Sequence, residues 1–561
     1  MSNPLQLPLI VQSDRTILLE VNNPLFAKAR QAITGFAELI KSPEYIHTYR
    51  ITPLSLWNAA ASGFSAEQIL DSLQSYSKFG IPPILAKEIQ DTFSRYGLIR
   101  LEREEDSFQL VSDDPLILEE VLQYPSLQPY VTDRLSSKKF LIAPYSRGLI
   151  KHELIKLGYP VQDIAGYTEG EPLSIALSET TAGGRHLQVR DYQQEAIQAF
   201  YAGGSVYGGN GVLVLPCGAG KTVIGIGTMS QIQTATLILT TNTASVRQWI
   251  SEILDKTNIA PSLIGEYTGE QKDVKPITVT TYQMLTYHRK EDQDYPHMAL
   301  FHERDWGLLI YDEVHLLPAP VFRMTASIQA KRRLGLTATL IREDGREDEV
   351  FSLVGPKRYD MSWQELAEQD WIAKAQCKEV RLSFEPKWRE AYAHATIQQK
   401  YRIASENPRK LDVLSKLVQQ HREDQVLIIG QYIDQLEKVA EHLKVPLITG
   451  KVKEQERQQL YQQFKTKQLK CLIVSKVANF AIDLPDANVA IQISGTYGSR
   501  QEEAQRLGRI LRPKPDNNTA TFYTLVTRDT REQEFAAKRQ LFLIEQGYRY
   551  ENIEEDQLTN P

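Results

Sequence analysis

A chain of 561 residues is too long for one hydrophobic core, and at about 150 residues per domain it predicts three or four domains. With 42% hydrophobic and 24% charged residues, the composition excludes a mainly disordered or low-complexity chain. A formal net charge of -6 excludes a protein that coats nucleic acid with uniform positive charge, so any such contact is expected to be local.

The sequence also lacks the marks of a secreted or membrane protein. Its apolar runs are shorter than the roughly 18 residues that a membrane span requires, and its first residues do not resemble a secretory signal. The three cysteines, Cys217, Cys377 and Cys471, form no CxxC pair, so we expect buried, inert thiols and neither a disulfide nor a zinc site. These features predict a cytoplasmic protein.

The first third of the chain predicts small accessory modules without a catalytic constellation. Residues 53–63 and 65–76 have helical patterns, and the second begins with Ser-Ala-Glu-Gln, which is typical of a capping box. Short strands are predicted at residues 98–102 and 108–112. Residues 167–184, rich in glycine, threonine and serine, are the predicted linker to the rest of the chain.

The remaining chain predicts two parallel sheets. Two groups of short, apolar, often β-branched segments alternate with helical patterns such as residues 244–254 and 431–443, which is typical of an α/β fold. The groups cover about residues 187–375 and 409–547. The predicted strands are residues 237–240, 277–281, 308–311, 426–429, 472–475 and 490–493. We therefore expect an α/β protein of two lobes with an N-terminal α+β region.

A phosphate-binding loop is predicted between a strand and a helix. An apolar run at residues 211–215 leads into the loop, which reads Pro216-Cys217-Gly218-Ala219-Gly220-Lys221-Thr222. Its glycines allow backbone amides to surround a phosphate, while Lys221 would reach the β and γ phosphates of ATP and Thr222 would bind Mg²⁺. The strict pattern has glycine where this chain has Leu215, so this motif alone leaves a chance match open.

An acidic pair follows the predicted strand at residues 308–311, in the segment Asp312-Glu313-Val314-His315. At a strand end near the phosphate loop, Asp312 would hold Mg²⁺ through its water shell and Glu313 would polarise the attacking water. His315 would relay the state of the site to the next motif. The alternative, a solvated acidic turn, is disfavoured because a buried strand runs directly into the pair.

Two shorter motifs accompany these. Arg190 and Gln193, just before the first sheet, are candidates to read the adenine edge of ATP, although a capped helix start would look the same. Thr337 and Thr339, in a Thr-Ala-Thr segment after an apolar strand, are candidates to link the ATP state to closure of the lobes. A plain strand end is the alternative for them.

An arginine motif closes the second group, in the segment Gln505-Arg506-Leu507-Gly508-Arg509-Ile510-Leu511-Arg512. Arginines three residues apart lie on one helical face, where Arg509 and Arg512 can act as arginine fingers on the γ phosphate. A solvated basic helix is the alternative. The predicted catalytic residues are then Lys221, Glu313, Gln505, Arg509 and Arg512.

Taken in order, the motifs GAGKT, DEVH, TAT and QRLGRILR resemble those of superfamily-2 helicases, and the details are similar to the XPB helicases almost end to end. Similar stretches include residues 47–57, residues 76–82 and a tail with Lys538-Arg539-Gln540. The resemblance implies two RecA-like lobes that use ATP and Mg²⁺. It also implies a 3′-to-5′ DNA helicase and duplex-DNA translocase that acts in nucleotide excision repair.

The resemblance implies a division of the chain as well. The expected parts are an accessory domain at 1–112, a damage-recognition-like module and linker at 113–183, a first RecA-like lobe at 184–376, and a second at 377–561. The second lobe would carry a short thumb that grips DNA, at about residues 386–407. The thumb's own residues show only a helical pattern with several basic side chains, which a solvated helix face would match equally.

Further roles rest on the same resemblance. Residues expected to contact DNA or to couple it to ATP are His315, Thr337, Thr339, Arg342, Glu343, Asp344, Lys476, Asp483 and Arg506. Among them, residues 342–344 match the family's RED motif, which is implicated in unwinding. Ala478 and Asn479 replace the family's usual Gly-Asp, where DNA and nucleotide are sensed together, and this departure puts the family's ATPase rate in question for this chain.

The chain lacks the long acidic insertion and C-terminal extension of eukaryotic members, so the resemblance implies a compact prokaryotic form that acts on nucleoid DNA. A monomeric motor is expected, with contacts mainly to the phosphate backbone of duplex and forked DNA and with a Bax-type nuclease as partner. Three alternatives stay open. They are a translocase or remodelling ATPase without strand separation, a damage-binding scaffold switched by ATP, and an RNA helicase.

Overall fold

A computed structural model gives the fold of most of the chain. The residues that it describes are 6–41, 45–61, 63–105, 107–143, 146–166, 169–205, 208–287, 296–317, 321, 332–338, 347–361, 363–475, 487–496, 503, 506–508, 510–511, 518–545 and 548–558. Two compact units are present, one of Met1–Val214 with Gly220–Asp360 and the other of Leu215–Ala219 with Met361–Pro561. No described helix is long and apolar enough to cross a membrane.

The first unit begins with a four-stranded antiparallel sheet and the helices that cover it. Its strands are Leu9–Val11, Thr16–Glu20, Glu38–Lys41 and Ile46–Arg50, and its helices are Phe26–Thr34, Pro53–Ala61, Ala66–Tyr76 and Pro83–Ser94. The predicted capping box is present, because the Ser65 hydroxyl accepts from Gln68 N at 3.2 Å and the Gln68 side chain accepts from Ser65 N at 2.9 Å. Both helices predicted in this region are confirmed.

A second small sheet follows, with five strands. In spatial order they are Val131–Arg134, Lys139–Ile142, Ser107–Val111, Arg100–Glu104 and Gln162–Asp163. The helices beside this sheet are Pro115–Leu122, Gln128–Tyr130 and Arg147–Lys156. Because these strands share one hydrophobic core, the domain boundary expected at residue 112 runs through a single sheet.

The first large sheet has seven strands, all parallel. Their spatial order is Ile264–Tyr267, Ile277–Thr281, Thr236–Thr240, Leu308–Asp312, Arg332–Thr337, Asn210–Val214 and Lys357–Asp360. The associated helices are Asp191–Tyr201, Ala202–Gly204, Lys221–Ile232, Thr243–Lys256, Pro261–Leu263, Tyr282–Leu285, Pro296–His302, Val314–Leu316 and Glu347–Leu353. Most central strands are buried along their whole length, as expected of parallel strands covered on both faces.

The second large sheet also has seven parallel strands. Their spatial order is Leu447–Ile448, Cys471–Ser475, Val426–Gly430, Val489–Gln492, Thr519–Thr527, Lys374–Leu382 and Tyr550–Glu554. The associated helices are Trp363–Glu368, Pro386–His394, Ile397–Ser405, Arg409–Gln420, Ile433–Leu443, Glu454–Lys465 and Arg531–Glu545. The expected α/β class with two parallel-sheet lobes is confirmed. The lobe boundary expected after residue 376 falls inside the strand Lys374–Leu382.

Two expectations from composition need correction. The described part of the linker, residues 169–184, is packed on the first lobe, since Leu173 N donates to Gln233 O at 3.0 Å and Ser178 N to Lys256 O at 2.9 Å. Cys217 and Cys471 are only partly buried, so the expectation of three buried thiols holds for Cys377 and is wrong for the other two. The small and polar residues of the linker predict a segment without regular secondary structure. Such a segment can still pack against a folded lobe.

A buried ion cluster fixes the helix Arg147–Lys156 to the small five-stranded sheet. Arg147 donates to the two carboxylate oxygens of Asp163 at 2.6 and 3.1 Å, and Lys151 Nζ donates to the same carboxylate at 2.6 Å. The exposed fractions of the three side chains are 1%, 8% and 6% for Arg147, Asp163 and Lys151. Burial opposes ionisation of Asp163, but the two cations outweigh it and hold its pKa well below the ordinary value.

Replacing Asp163 by asparagine is expected to lower the free energy of unfolding of this region by about 3–5 kcal/mol, because two buried cations lose their anion. Denaturant unfolding followed by circular dichroism measures the change. The matched control is Asp133→Asn, at an exposed position of the same sheet, where a change of no more than about 0.5 kcal/mol is expected. Equal unfolding midpoints for the two variants would contradict this account of the cluster.

Candidate nucleotide site

The predicted phosphate loop connects a buried strand to a helix, as its motif requires. The strand Asn210–Val214 is buried throughout, and the helix Lys221–Ile232 begins directly after the loop. Gly218 and Gly220 have φ values of 85° and 77°, in the left-handed region that favours glycine. The positive end of the helix dipole and the first N–H groups of the helix therefore lie at the loop, which is the arrangement that binds phosphate.

Gln193 lies against this loop. A Cβ atom on Gly220 would come within 2.6 Å of Gln193 Nε2, so a side chain at that position would displace the amide. The Gln193 Oε1 atom accepts from Arg190 N at 3.0 Å, and Arg190 Nη1 donates to Tyr192 Oη at 3.2 Å. The capped helix start is therefore present, and the adenine contact of these residues stays a prediction.

The acidic pair lies at the same edge of the sheet as the loop. Asp312 ends the strand Leu308–Asp312, and Glu313 follows with φ of 51°, a left-handed conformation that is uncommon for a residue with a side chain. Lys221 Nζ lies 3.5 Å from Glu313 Oε1. The structure thus brings together the loop lysine and the acid that were predicted from two motifs about ninety residues apart.

Two aromatic residues that the sequence did not single out hold Asp312 in place. Trp249 Nε1 donates to Asp312 Oδ2 at 3.0 Å, and Tyr282 Oη donates to the Asp312 carbonyl at 3.0 Å. A Cβ on Gly225 would lie 2.5 Å from the Trp249 ring, so this glycine makes room for the indole. In the sequence, Trp249 reads as a core residue of the helix Thr243–Lys256, and nothing in its spacing distinguishes the polar role.

The two carboxyl groups have different proton affinities. Burial, followed by the adjacent charge of Glu313, raises the pKa of Asp312 to about 6, against the opposing effects of Trp249 and Lys221. Burial also disfavours the charge on Glu313, but Lys221 and His315 outweigh it and the pKa of Glu313 is lowered. At neutral pH, Glu313 is therefore ionised, while burial makes the charge on Asp312 costly.

A contact leads from the acidic pair to the next motif. His315 Nδ1 lies 2.6 Å from Thr337 Oγ1 and 3.6 Å from Glu313 Oε2. Thr337 is the last residue of the strand Arg332–Thr337, so the strand end expected there is also present. The buried imidazole of His315 thus connects Glu313 to the Thr-Ala-Thr segment.

In the arginine motif, Arg506 is buried, with 2% of its surface exposed, and Arg506 Nη1 donates to Gln492 Oε1. A solvated position is therefore excluded for this arginine. The other predicted residues lie outside the part of the chain that the structure describes: Thr339, Arg342, Glu343, Asp344, Lys476, Ala478, Asn479, Asp483, Gln505, Arg509 and Arg512.

Three family profiles match the chain. They are the ERCC3/RAD25/XPB C-terminal helicase at residues 366–560, the type III restriction enzyme res subunit at residues 186–342, and the helicase conserved C-terminal domain at residues 9–136. The chain is also 51% identical to the DNA 3'-5' helicase XPB of Kineococcus radiotolerans, over 98% of this chain and 97% of that protein. The chain belongs to the XPB family. The matched profiles cover both lobes. Membership of the family implies the use of ATP.

Other XPB proteins show the same relationship. The DNA 3'-5' helicase XPB of Mycobacterium tuberculosis is 50% identical, over 99% of each chain. The general transcription and DNA repair factor IIH helicase/translocase subunit XPB of Enterocytozoon bieneusi is 34% identical, over 97% of this chain and 92% of that protein. The similarity to XPB proteins therefore covers the accessory region as well as the two lobes.

The cost of burying the Asp312 charge is measurable without nucleotide or divalent cation. The folded pKa is raised above the unfolded value, so the carboxyl favours folding at low pH and this contribution is lost as pH rises through about 6. Asp312→Asn is therefore expected to stabilise the first lobe by about 1–3 kcal/mol at pH 7.5, and the difference should vanish toward pH 4.

Thermal or denaturant unfolding across this pH range measures the difference, with Glu303→Gln as the control at an exposed position of the same lobe. A destabilised Asp312→Asn variant at pH 7.5, or a gain that does not depend on pH, would contradict the assignment of a raised pKa.

Proposed function

We propose that this chain is an ATP-driven 3′-to-5′ DNA helicase that also translocates on duplex DNA, and that it acts in nucleotide excision repair. The observation that carries the proposal is the contact between Lys221 and Glu313 at the edge of a parallel sheet. The polarity and the DNA substrate are supported by the name of the bacterial relatives, DNA 3'-5' helicase XPB. The repair role is supported by the name of the relative from Enterocytozoon bieneusi, a general transcription and DNA repair factor subunit.

The phosphate loop would bind ATP through the backbone of residues 216–220 and through Lys221, while Arg190 and Gln193 would hold the adenine. In the structure Lys221 and Glu313 neutralise each other. Phosphate oxygens offer Lys221 a stronger partner, so nucleotide binding would release the Glu313 carboxylate to accept a hydrogen bond from the attacking water.

Magnesium fits the oxygen donors at this edge of the sheet. The Asp312 carboxylate and the Thr222 hydroxyl are hard ligands, and a bound cation would favour the charged form of Asp312, which burial opposes. When bound, Mg²⁺ would neutralise charge on the β and γ phosphates. Trp249 and Tyr282 keep Asp312 in one orientation for that purpose.

The second lobe would supply the remaining charge and the motion. Arg509 and Arg512 would act as arginine fingers, each worth about 10³-fold or more in rate, with Gln505 beside them. His315 and Thr337 would transmit the ATP state, and Thr339, Lys476, Asp483 and Arg506 would take part in coupling. Residues 342–344 would assist unwinding. Ala478 and Asn479 stand in place of Gly-Asp, so coupling is expected to differ from that of the family.

DNA would be held largely by its phosphates. The helix Pro386–His394 exposes Lys387 and Arg389, and the next helix exposes Arg402, which suits a thumb that follows the backbone without reading sequence. Residues 1–112 and 113–183 would act as accessory and damage-recognition regions. Binding would fall steeply with salt, because phosphate contacts release counterions.

We further propose that the protein is a prokaryotic motor that acts as a monomer on nucleoid DNA. Its proposed partner is a Bax-type nuclease. A second candidate function is translocation along duplex DNA without strand separation. The relative from Enterocytozoon bieneusi is named a helicase/translocase subunit, which favours keeping this alternative.

Lys221→Ala is expected to reduce DNA-stimulated ATP hydrolysis by at least about 10²-fold, because the lysine that holds the transferring phosphate is lost. Steady-state hydrolysis with and without forked duplex DNA measures the effect. The control is Lys272→Ala, at an exposed position of the same lobe, which should hydrolyse ATP like the wild type. Hydrolysis that survives Lys221→Ala, or that RNA stimulates better than DNA, would contradict the proposal.

Unwinding and translocation are separated by two assays on the same protein. Duplexes with a 3′ or a 5′ tail report strand separation and its direction, and displacement of a third strand from a triplex reports movement along intact duplex. We expect unwinding of the 3′-tailed substrate together with displacement. Displacement without unwinding would favour the translocase, and neither activity would favour the ATP-switched scaffold.

A further inference from the structure

Arg539 lies at the centre of a buried polar network in the second lobe. It belongs to the tail helix Arg531–Glu545 and is 1% exposed. Its Nε atom lies 3.3 Å from Glu503 Oε2, and its Nη1 atom donates to the Thr496 carbonyl at 2.7 Å and to Tyr401 Oη at 3.3 Å. One guanidinium thus connects three segments that are distant in sequence.

Tyr401 brings the thumb into this network. It lies on the second thumb helix, Ile397–Ser405, and is also 1% exposed. Its hydroxyl donates to the Gly495 carbonyl at 2.8 Å, and its ring packs edge-on against Phe535 of the tail helix, with ring centroids 5.2 Å apart. The position of the thumb helix is therefore tied to the loop that follows the strand Val489–Gln492.

Glu503 brings the arginine motif into the same network. Its side chain is fully buried and accepts from Gln492 Nε2 at 2.9 Å, while Gln492 Oε1 accepts from Arg506. A continuous chain of polar contacts consequently runs from Tyr401 through Arg539, Glu503 and Gln492 to Arg506. The last of these is a residue of the arginine motif itself.

The backbone is shaped around this arrangement. A Cβ atom on Gly495 would lie 2.3 Å from Arg539 Cζ, so the guanidinium packs directly on the main chain. A buried ion pair contributes little net stability, because the cost of removing both charges from water offsets their attraction. The ion pair between Arg539 and Glu503 is therefore better explained by its holding of these segments in a fixed arrangement than by a gain in stability.

We propose that Tyr401 and Arg539 are positioning residues that couple the thumb to the arginine motif, so that DNA held by the thumb sets the placement of the motif for ATP hydrolysis. This inference rests on the proposed function. Arg402 is exposed on the same helix that buries Tyr401. A displacement of the outer face of that helix would therefore also move Tyr401, which belongs to the network. Packed elements transmit such shifts because their side chains have few alternative arrangements.

The test compares ATP hydrolysis with and without saturating duplex DNA in Tyr401→Phe and Arg539→Lys. The first variant keeps the ring and removes the hydroxyl, and the second keeps the charge beside Glu503 but cannot make the forked contacts of arginine. We expect the DNA-stimulated rate to fall about 3- to 30-fold, with the rate without DNA and the DNA dissociation constant changed by less than about twofold. The Michaelis constant for ATP should not change.

The matched control is Tyr523→Phe, a buried tyrosine of the same lobe whose hydroxyl contacts His421 rather than this network. It should keep the full DNA stimulation. Thermal unfolding of each variant identifies a loss of fold, and Arg539→Lys decides the outcome if Tyr401→Phe is unstable.

An unchanged ratio of stimulated to unstimulated rate in Tyr401→Phe and Arg539→Lys, with a stimulated wild type, would overturn this inference alone. An equal loss of both rates would overturn it as well, because it indicates a structural role. A wild type that DNA does not stimulate would instead overturn the proposed function on which the inference rests.

Discussion

The ion pair between Lys221 and Glu313 depends on the direction of the strands in the first large sheet. The loop that ends in Lys221 follows one strand, Glu313 follows another, and the strand Arg332–Thr337 lies between them. In a parallel sheet the carboxyl ends of all the strands lie at one edge, where side chains from separate segments meet. The phosphate loop, the acidic pair and the contact from His315 to Thr337 all follow from that single constraint.

Much of this architecture is readable from the sequence. Strands buried on both faces, such as Val426–Gly430, appear as unbroken apolar runs and are predicted to within a residue. The strand Lys374–Leu382 was not predicted, because polar and apolar residues alternate at its start. The edge strand Tyr550–Glu554 was not predicted either. Motifs located the lysine and the acids, since their chemistry fixes residue type and order.

The supporting residues could not be read in the same way. Trp249 orients Asp312 through a single N–H group, but its position on its helix is that of any core residue. Arg539 looks like part of a charged tail helix, and only the three-dimensional packing shows that it is buried against Glu503. Such contacts join segments far apart in sequence, so local patterns carry no sign of them. They are also the contacts through which binding at one place alters geometry at another.

The most direct test of this account is the rate of DNA-stimulated ATP hydrolysis in Glu313→Gln. The substitution keeps the size and left-handed position of the side chain but removes the charge that pairs with Lys221, which is the charge we propose to activate water. We expect this variant to bind ATP and DNA like the wild type and to hydrolyse ATP about 10²- to 10⁴-fold more slowly. Hydrolysis at the wild-type rate would contradict the assignment of Glu313 and the function built on it.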